Sequence, residues 1–301
     1  MGNHGQLDEL TTWLEDGGHR WVIDQAFCED LADGEDLTSQ TMVSANAESM
    51  ATLVARAPGR LAGLKILPDI ATRFCKKDLV IEFCAMDGQT VEPGMTLVQC
   101  KGRLRPLLAM ERTLLNFLCH LSGVATLTAK YVAQIVGTKA RIFDTRKTLP
   151  GLRWLQKYAV RCGGGYTHRF GLYDAMLVKD NHIADIESDL LQERLITGIR
   201  DARQRYGSLR FIEVECDTLE QLQQVLTCGP DIVLLDNMPL DQLQLAVAMR
   251  DRLAPQVELE ASGSVTLQAV AAIAQTGVDR ISVGALTHSA PALDLALDIK
   301  S

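Results

Sequence analysis

DTRKTLPGLRWLQKYAVRCGGGYTHRFGLYDAMLVKDNH, residues 144–182, reads as a basic loop, a helix, a glycine loop and a strand, entered from the apolar run that ends at Phe143. From Arg141 to Arg169 the cations are Arg141, Arg146, Lys147, Arg153, Lys157, Arg161 and Arg169, with Asp144 the only acid, in a chain of 301 residues and formal net charge −8. Such a local reversal of sign concentrates anions. Arg153, Lys157 and Arg161 recur every four residues, so they are expected on one solvated helix stripe. Arg146, Lys147, His168, Arg169 and Lys179 instead stand in loops or at the end of an apolar strand, where a cation calls for an anionic partner. These five are candidate site residues.

Downstream of this stretch the pattern is regular. Six short apolar runs, ARIFDT, AMLVKD, FIEVEC, DIVLLD, VELEAS and RISVGA, alternate with helical stretches such as LLQERLITGIRDARQRYG and LDQLQLAVAMRDRL. Strand and helix in alternation mean parallel βα units, and near-continuous hydrophobicity in each run means both faces of the sheet are covered, as in a barrel ringed by helices. The runs end, in order, at Asp144 with Thr145, Lys179 with Asp180, Glu215, Asp236, Ser262 and Gly284. Barrels carry their reactive groups at these carboxyl ends. Six units are fewer than the eight of a full barrel, so an incomplete one is expected.

Upstream, Leu7 to Cys28 holds two short helical patterns split by Gly17 and Gly18. After the polar GEDLTSQ, the runs ATLVARAPGRLAGL and LVIEFCAMDGQTVEPGMTLVQCKG, broken by Pro-Gly and Asp-Gly turns, predict an antiparallel sheet, with KILPDIATRFC a helix across it. RPLLAMERTLLNFLCHLSG and TLTAKYVAQIVG read as two helices divided at Ser122 and Gly123. The amino-terminal part is therefore α+β.

A chain of this length, 47% hydrophobic, can bury a sizeable core. It has no apolar run of membrane-spanning length and a polar, acidic start, so a cytoplasmic protein without membrane association is expected. The eight cysteines are scattered without a CxxC pair and read as buried thiols, Cys84 and Cys216 among them. An acidic balance argues against nucleic-acid binding and for a small anion as partner of the basic cluster.

DTRKTLPGLRWLQKYAVRCGGG, THRFGLYDA and KDNHI, together with ERTLLNFLCHLSGVAT, IVLLDNM, LEASGSV and TGVDRISVGALTHSAPALD, resemble the hallmark segments of the quinolinate phosphoribosyltransferase family, the carboxylating nicotinate-nucleotide diphosphorylases of NAD biosynthesis. The likeness covers nearly the whole chain. It implies an α/β fold with an incomplete, six- or seven-stranded parallel β/α barrel over 115–288 and an amino-terminal α+β domain over 1–114, joined by the carboxyl-terminal segment 289–301. It also implies a homodimer with shared active sites, or a higher assembly of such dimers. The implied activity transfers the phosphoribosyl group of phosphoribosyl pyrophosphate to quinolinate with decarboxylation.

Quinolinate carries two adjacent carboxylates, which suit arginine's planar fork. Arg146 and Arg169, with Thr145, Lys147, His168 and Lys179, are the expected contacts. By resemblance Arg112 joins them from a neighbouring subunit, whereas its sequence alone reads as a Glu111–Arg112 helix-surface pair. The 5-phosphate of the other substrate suits the glycine turns Ser262-Gly263-Ser264 and Val283-Gly284-Ala285, which follow the last strands. The family usually has a second glycine where this chain has Ser264. Glu215 and Asp236 are expected at the ribose hydroxyls and at the Mg2+ that accompanies pyrophosphate, and they can also pair with Lys179. Lys147 or Lys179 is the expected proton source, no organic cofactor is called for, and His182 and His288 read as satisfied loop histidines. Gly163 to Gly165 are expected to let the segment 167–169 close over substrate.

Other readings remain open to the sequence. The molybdenum-transport-associated paralogue shares the TRKT and GGG segments, a Schiff-base aldolase would use Lys179, and a non-catalytic phosphate-binding barrel would leave the charged rim without a task.

Overall fold

A computed structural model of the chain describes residues 3–76, 79–187 and 190–300. In chain order the first elements are α1 (Asn3–Glu15), α2 (Arg20–Leu31), α3 (Leu37–Met42), β1 (Glu48–Ala55), β2 (Gly59–Arg60), α4 (Leu67–Cys75), β3 (Leu79–Phe83), β4 (Thr90–Val91), β5 (Thr96–Arg103), α5 (Leu104–Gln134), β6 (Arg141–Phe143) and α6 (Arg153–Cys162). Then come β7 (Met176–Val178), α7 (Asp180–Ile183), α8 (Leu191–Arg205), β8 (Ile212–Cys216), α9 (Leu219–Val225), β9 (Ile232–Asp236), α10 (Leu240–Leu253), β10 (Glu258–Ser262), α11 (Val270–Gln275), β11 (Arg280–Ser282), α12 (Ala285–His288) and β12 (Leu295–Lys300). The chain forms two compact units: Met1–Ala129 with Thr148–Gly164 and Ala285–Ser301, and Lys130–Lys147 with Gly165–Gly284.

The first unit is built on an antiparallel sheet in the order β12-β1-β5-β3. Its helix starts and stops follow local chemistry. Gly17, at φ +76°, ends the run of α1, and Asp36 caps α3 by accepting from the Thr38 and Ser39 N–H groups at 3.0 and 3.1 Å. The expected helix across the sheet is α4, whose Ile70, Ala71 and Cys75 are buried. The carboxyl-terminal strand β12 pairs antiparallel with β1, Leu297 opposite Leu53.

Three sequence expectations fail in this unit. Ser122 and Gly123 do not divide two helices, because α5 runs unbroken through them for 31 residues. The Ser122 hydroxyl accepts from the Ala62 N–H at 3.1 Å, and Gly123 is small because the Pro291 carbonyl lies 2.2 Å from where its Cβ would stand. Both residues serve packing rather than helix termination. The stripe Arg153–Lys157–Arg161 is not a solvated face either, since Lys157 is 0% exposed and α6 packs against both α1 and α12. Helical spacing of cations says that they share a stripe, not that the stripe meets water. Cys216 is buried as expected, but Cys84 is exposed, because it directly follows β3 at the sheet's edge.

The second unit is a six-stranded parallel sheet in the order β6-β11-β10-β9-β8-β7. The first strand pairs with the last and every other strand with its successor, which is the circular order of a barrel. Only the β6/β7 seam lacks a ladder, and there Phe143 bridges Tyr166 in a connecting segment instead. The expected incomplete barrel is therefore what forms, with six strands and one seam. Among the described residues no helix is long and apolar enough to cross a membrane.

Register shows what lines the barrel. Glu213 pairs with Ile232, Glu215 with Leu234, Glu260 with both Leu234 and Arg280, and Ser262 with Asp236. Because strand side chains alternate faces, Glu213, Glu215, Asp236, Glu260, Ser262 and Arg280 share one face. The other face is apolar, with Val214, Val233, Leu235, Leu259 and Ile281 all buried. The near-continuous hydrophobicity of the strands thus conceals a charged interior.

Gly123 supplies a test of the packing argument. Alanine in a helix interior is normally favoured over glycine by about 1 kcal/mol, but a Cβ here meets backbone of residues 291 and 292. Gly123→Ala is expected to destabilise the protein by about 1–3 kcal/mol, the range for overpacking. Chemical denaturation checks this, and a gain in stability would show that the 291–292 segment yields.

Candidate active site

The carboxyl ends of the barrel strands bring most of the sequence-predicted residues to one rim. From β7, the Lys179 ammonium reaches Glu215 of β8 at 2.5 Å; the lysine side chain is 45% exposed and the carboxylate nearly buried. Carboxylate oxygens of Glu215, Asp217 and Asp236 lie within 4.8 Å of one another. Asn237 anchors Asp236 by donating to Oδ2 at 2.7 Å. Asp217 escaped the sequence reading, although its position two residues after Glu215 puts it on the same side of the chain as β8 runs out. A cavity of about 540 Å3 opens beside these acids, lined by Asp180, Glu215, Asp217, Glu220 and Gln221 among others.

The basic part of the rim lies at the seam. Thr145, Arg146 and Lys147 follow β6, and the Thr145 hydroxyl accepts from the Lys147 N–H at 3.0 Å, turning the loop back on itself. Arg169 is only 7% exposed. Burial lowers its pKa and Arg146 lowers it further, while Glu213 and Asp174 work the other way. Arg169 Nη1 donates to the Ala175 carbonyl at 3.2 Å. Arginines carried by two segments of one rim suit an anion with two charges.

The segment that carries Arg169 is pinned. Tyr166 N–H donates to the Ile142 carbonyl at 2.8 Å, Asp144 N–H to the Tyr166 carbonyl at 3.1 Å, and His168 N–H to Asp144 Oδ1 at 2.9 Å. Thr167 is 0% exposed. Phe170 N–H donates to Asp174 Oδ2 at 2.6 Å. Gly163 has the Ala125 carbonyl 2.4 Å from its missing Cβ, and Gly164 sits at φ +86°. Gly163 answers close packing and Gly164 a left-handed turn, and in this structure 167–169 is held against the barrel.

His168 is 5% exposed and points into the barrel. Nε2 lies 3.0 Å from Glu213 Oε2 and 3.4 Å from Glu260 Oε1, while Nδ1 accepts from the Arg169 N–H at 2.8 Å. Arg280 Nε donates to Glu260 at 2.6 Å, and its guanidinium lies 3.7 Å from the centre of the Phe143 ring. Burial works against a charged imidazole, but Glu260 and Glu213 outweigh it and raise the ring's pKa to about 9. Burial, then Glu260, raises that of Glu213. The sequence reading missed Glu213, Glu260 and Arg280 because it weighed only strand ends, yet the alternation in IEVEC and ELEAS was the available signal.

The two glycine turns occupy the next places on the rim. Gly263, at φ +96°, has Asn237 Oδ1 2.1 Å from where a Cβ would stand, so only glycine lets the two loops meet. Ser264 follows at φ +42°, a left-handed conformation, and is exposed. Val283 N–H donates to the Phe143 carbonyl at 2.9 Å, which aligns the 283–285 turn with the end of β6; Gly284 is half-buried and Ala285 opens α12. His182 Nδ1 accepts from the Lys179 N–H at 2.8 Å and His288 Nδ1 pairs with the Ser289 hydroxyl at 2.6 Å, so both are satisfied as expected, though they stand in the short helices α7 and α12 rather than in loops. Arg112 is not among these rim residues. It is exposed on α5 in the first unit and borders a cavity of about 420 Å3 with Gln25, Asn116 and His120.

A barrel rim with paired arginines, a carboxylate cluster and two glycine turns defines an enzyme that works on anionic small molecules at its strand ends. Comparison with known proteins makes this specific. Residues 36–122 match the model of the quinolinate phosphoribosyl transferase N-terminal domain and 124–298 that of its C-terminal domain. The chain is 45% identical to the nicotinate-nucleotide pyrophosphorylase [carboxylating] of Mycobacterium leprae, over 93% of this chain and 96% of that one. It is 36% identical to quinolinate phosphoribosyltransferase [decarboxylating] 1b of Nicotiana tabacum, over 92% and 81%. The solved nicotinate-nucleotide pyrophosphorylase of Francisella tularensis superimposes with a TM-score of 0.84 at 36% identity, covering 94% of this chain and 96% of that one. The chain belongs to the quinolinate phosphoribosyltransferase family.

Ser264 yields a prediction of its own. A left-handed conformation costs a non-glycine residue about 1–2 kcal/mol, against which glycine's larger unfolded-state entropy is set. Ser264→Gly is therefore expected to stabilise by roughly 0.5–1 kcal/mol. Thermal and urea melts check this; a loss of stability would mean that the serine side chain makes compensating contacts.

Proposed function

We propose that this enzyme transfers the phosphoribosyl group of phosphoribosyl pyrophosphate to quinolinate and releases CO2, giving nicotinate mononucleotide and pyrophosphate. The observation that carries the substrate assignment is that Arg146 and the buried Arg169 come from two segments held together at the barrel seam by the Asp144–Tyr166 and His168–Asp144 hydrogen bonds, where two guanidiniums suit a dicarboxylate. Thr145, Lys147 and Lys179 complete the quinolinate end, with His168 beneath it. Glu215 and Asp236 take the ribose hydroxyls. The turns 262–264 and 283–285 take the 5-phosphate through backbone N–H groups.

The chemistry follows from charge. The pyridine nitrogen attacks the anomeric carbon while the bond to pyrophosphate breaks and its electron pair leaves with that anion. Positive charge grows on the sugar, and Glu215 and Asp236 stabilise it. The ring becomes a pyridinium, so the adjacent carboxylate departs as CO2 and leaves its electron pair on the ring carbon. Lys147 or Lys179 returns a proton there. Lys179 is half-exposed and ion-paired with Glu215, an arrangement that favours this cationic role over the desolvated amine of Schiff-base chemistry.

The oxygen donors of Glu215, Asp217 and Asp236 fit a hard divalent cation. They would hold the Mg2+ that arrives with phosphoribosyl pyrophosphate, which neutralises the leaving anion. Arg112 completes the quinolinate site of a neighbouring subunit in a homodimer or an assembly of dimers, a reading supported by its exposure on α5.

Carboxyl-labelled quinolinate is expected to release labelled CO2 only when phosphoribosyl pyrophosphate and Mg2+ are both present. In the same assay Arg146→Lys and Arg169→Lys, which keep charge but lose the fork, weaken quinolinate binding by roughly 1.5–3 kcal/mol. Unchanged affinity in both variants removes the arginine pair from the site.

Mixing Arg112→Ala with Lys147→Ala subunits tests the shared site. Each variant alone is expected to be inactive, and a mixture in which subunits exchange regains part of the activity, because some dimers carry one intact composite site. Mixed dimers that form and stay inactive rule out sharing.

A further inference from the structure

Glu213 and Glu260 stand on β8 and β10, two strands separated by β9. Neighbouring strands lie about 4.8 Å apart, so these carboxylates are brought to one imidazole only because the sheet is curled. His168 fills the concave space between them, Nε2 at 3.0 and 3.4 Å. Arg280, on β11, closes the group from the far side through Glu260 at 2.6 Å and Glu258 at 3.3 Å. Glu213, Glu260, Arg280 and His168 are all at most 6% exposed. A charge group this dry is strongly disfavoured unless each member has its counterpart.

The connection of this group to the rim is short. His168 donates its own N–H to Asp144, which ends β6 one residue before Thr145, and its ring accepts the Arg169 N–H. The His168 ring thus ties the barrel interior to the backbone of the Arg169 segment, and its backbone N–H ties that segment to the Asp144 side chain at the start of the Arg146 loop. His168 has no ring nitrogen left for a substrate, since both are engaged.

We propose that Glu213, Glu260 and Arg280 are positioning residues for quinolinate: they clamp His168, whose ring holds the Arg169 backbone N–H, and so they fix the place from which the Arg169 side chain reaches the substrate. This rests on the assignment of the arginine pair to quinolinate. His168 then acts from below, as a strut rather than a contact. Phosphoribosyl pyrophosphate, held by other strands, is indifferent to the clamp.

The test is steady-state kinetics on the full chain with both substrates varied. Glu213→Gln keeps the shape of the side chain and removes its charge, so it loosens the clamp with little change in packing. The expected result is a quinolinate KM raised about tenfold or more, since small misplacement of a binding group is costly, with kcat and the KM for phosphoribosyl pyrophosphate within about twofold to threefold of the parent. A general packing defect does not produce that split. Should Glu213→Gln fail to fold, the paired variant Glu260→Gln with Arg280→Met removes one charge of each sign and serves in its place, judged by the same split. Arg169→Lys is run beside them. If it raises the quinolinate KM while a folded clamp variant leaves it unchanged, the clamp is overturned and the substrate assignment stands. If the arginine variant also leaves it unchanged, the assignment fails and the proposal with it. A folded clamp variant in which both KM values rise together overturns the proposal as well.

Discussion

A parallel sheet that curls on itself gives its inner side chains only one another for company, and in this chain those side chains are charged. Glu213, Glu260, Arg280 and His168 meet across three strands and a connecting segment, and no one of them is tolerable there alone. Breaking a buried charge group by removing one member typically costs about 3–5 kcal/mol. The curl is what lets the group form, since β8 and β10 are not neighbours. The group in turn gives the curl a preferred radius, because a flatter sheet would carry the two carboxylates away from the ring they share.

The same face of the same strands behaves differently one step higher. Glu215 is two residues beyond Glu213, yet its partner Lys179 is half-exposed. Solvent separates the two levels. In the interior Glu213, Glu260, Arg280 and His168 lie within ion-pair distance of one another, which offsets part of the cost of burial before any substrate arrives. At the rim Lys147 is exposed and Lys179 half-exposed, so an incoming anion can meet them. That division makes the interior a scaffold and the rim a site, although both are written into alternating positions of the same short strands.

How much of this was legible in the sequence depends on which signal carried it. The βα order, the six strands and the rim residues Lys179, Glu215, Asp236 and Ser262 could be read because strand ends are where apolar runs stop. Lys157 could not be placed, because its four-residue spacing from Arg153 and Arg161 describes a stripe and says nothing about what packs on it. Gly123 looks like a breaker in the sequence and is a contact in the structure, small because a distant carbonyl approaches it. Such reasons are tertiary, and no window of neighbouring residues contains them. His168 lies between these cases: it was recognisable as special from its place beside Arg169, but its task depends on Glu213 and Glu260, some 45 and 92 residues further along the chain.

The open seam explains why the cationic part of the rim lies where it does. β6 and β7 do not pair, and the segment that bridges them through Tyr166 brings Arg169 in from the gap rather than from a strand end. Had a ladder closed the barrel, Thr145 to Lys147 and Lys179 would sit side by side with no room for a third basic segment between them. With the seam open, the rim runs in strand order from the cationic segments at β6 and β7, through the acids of β8 and β9, to the glycine turns after β10 and β11. In the reading proposed above, that order is also the order of the reactants: a dicarboxylate, then a pentose that becomes cationic, then a phosphate. An incomplete barrel is then no defect in the fold, because the missing ladder is the space in which the dicarboxylate is held.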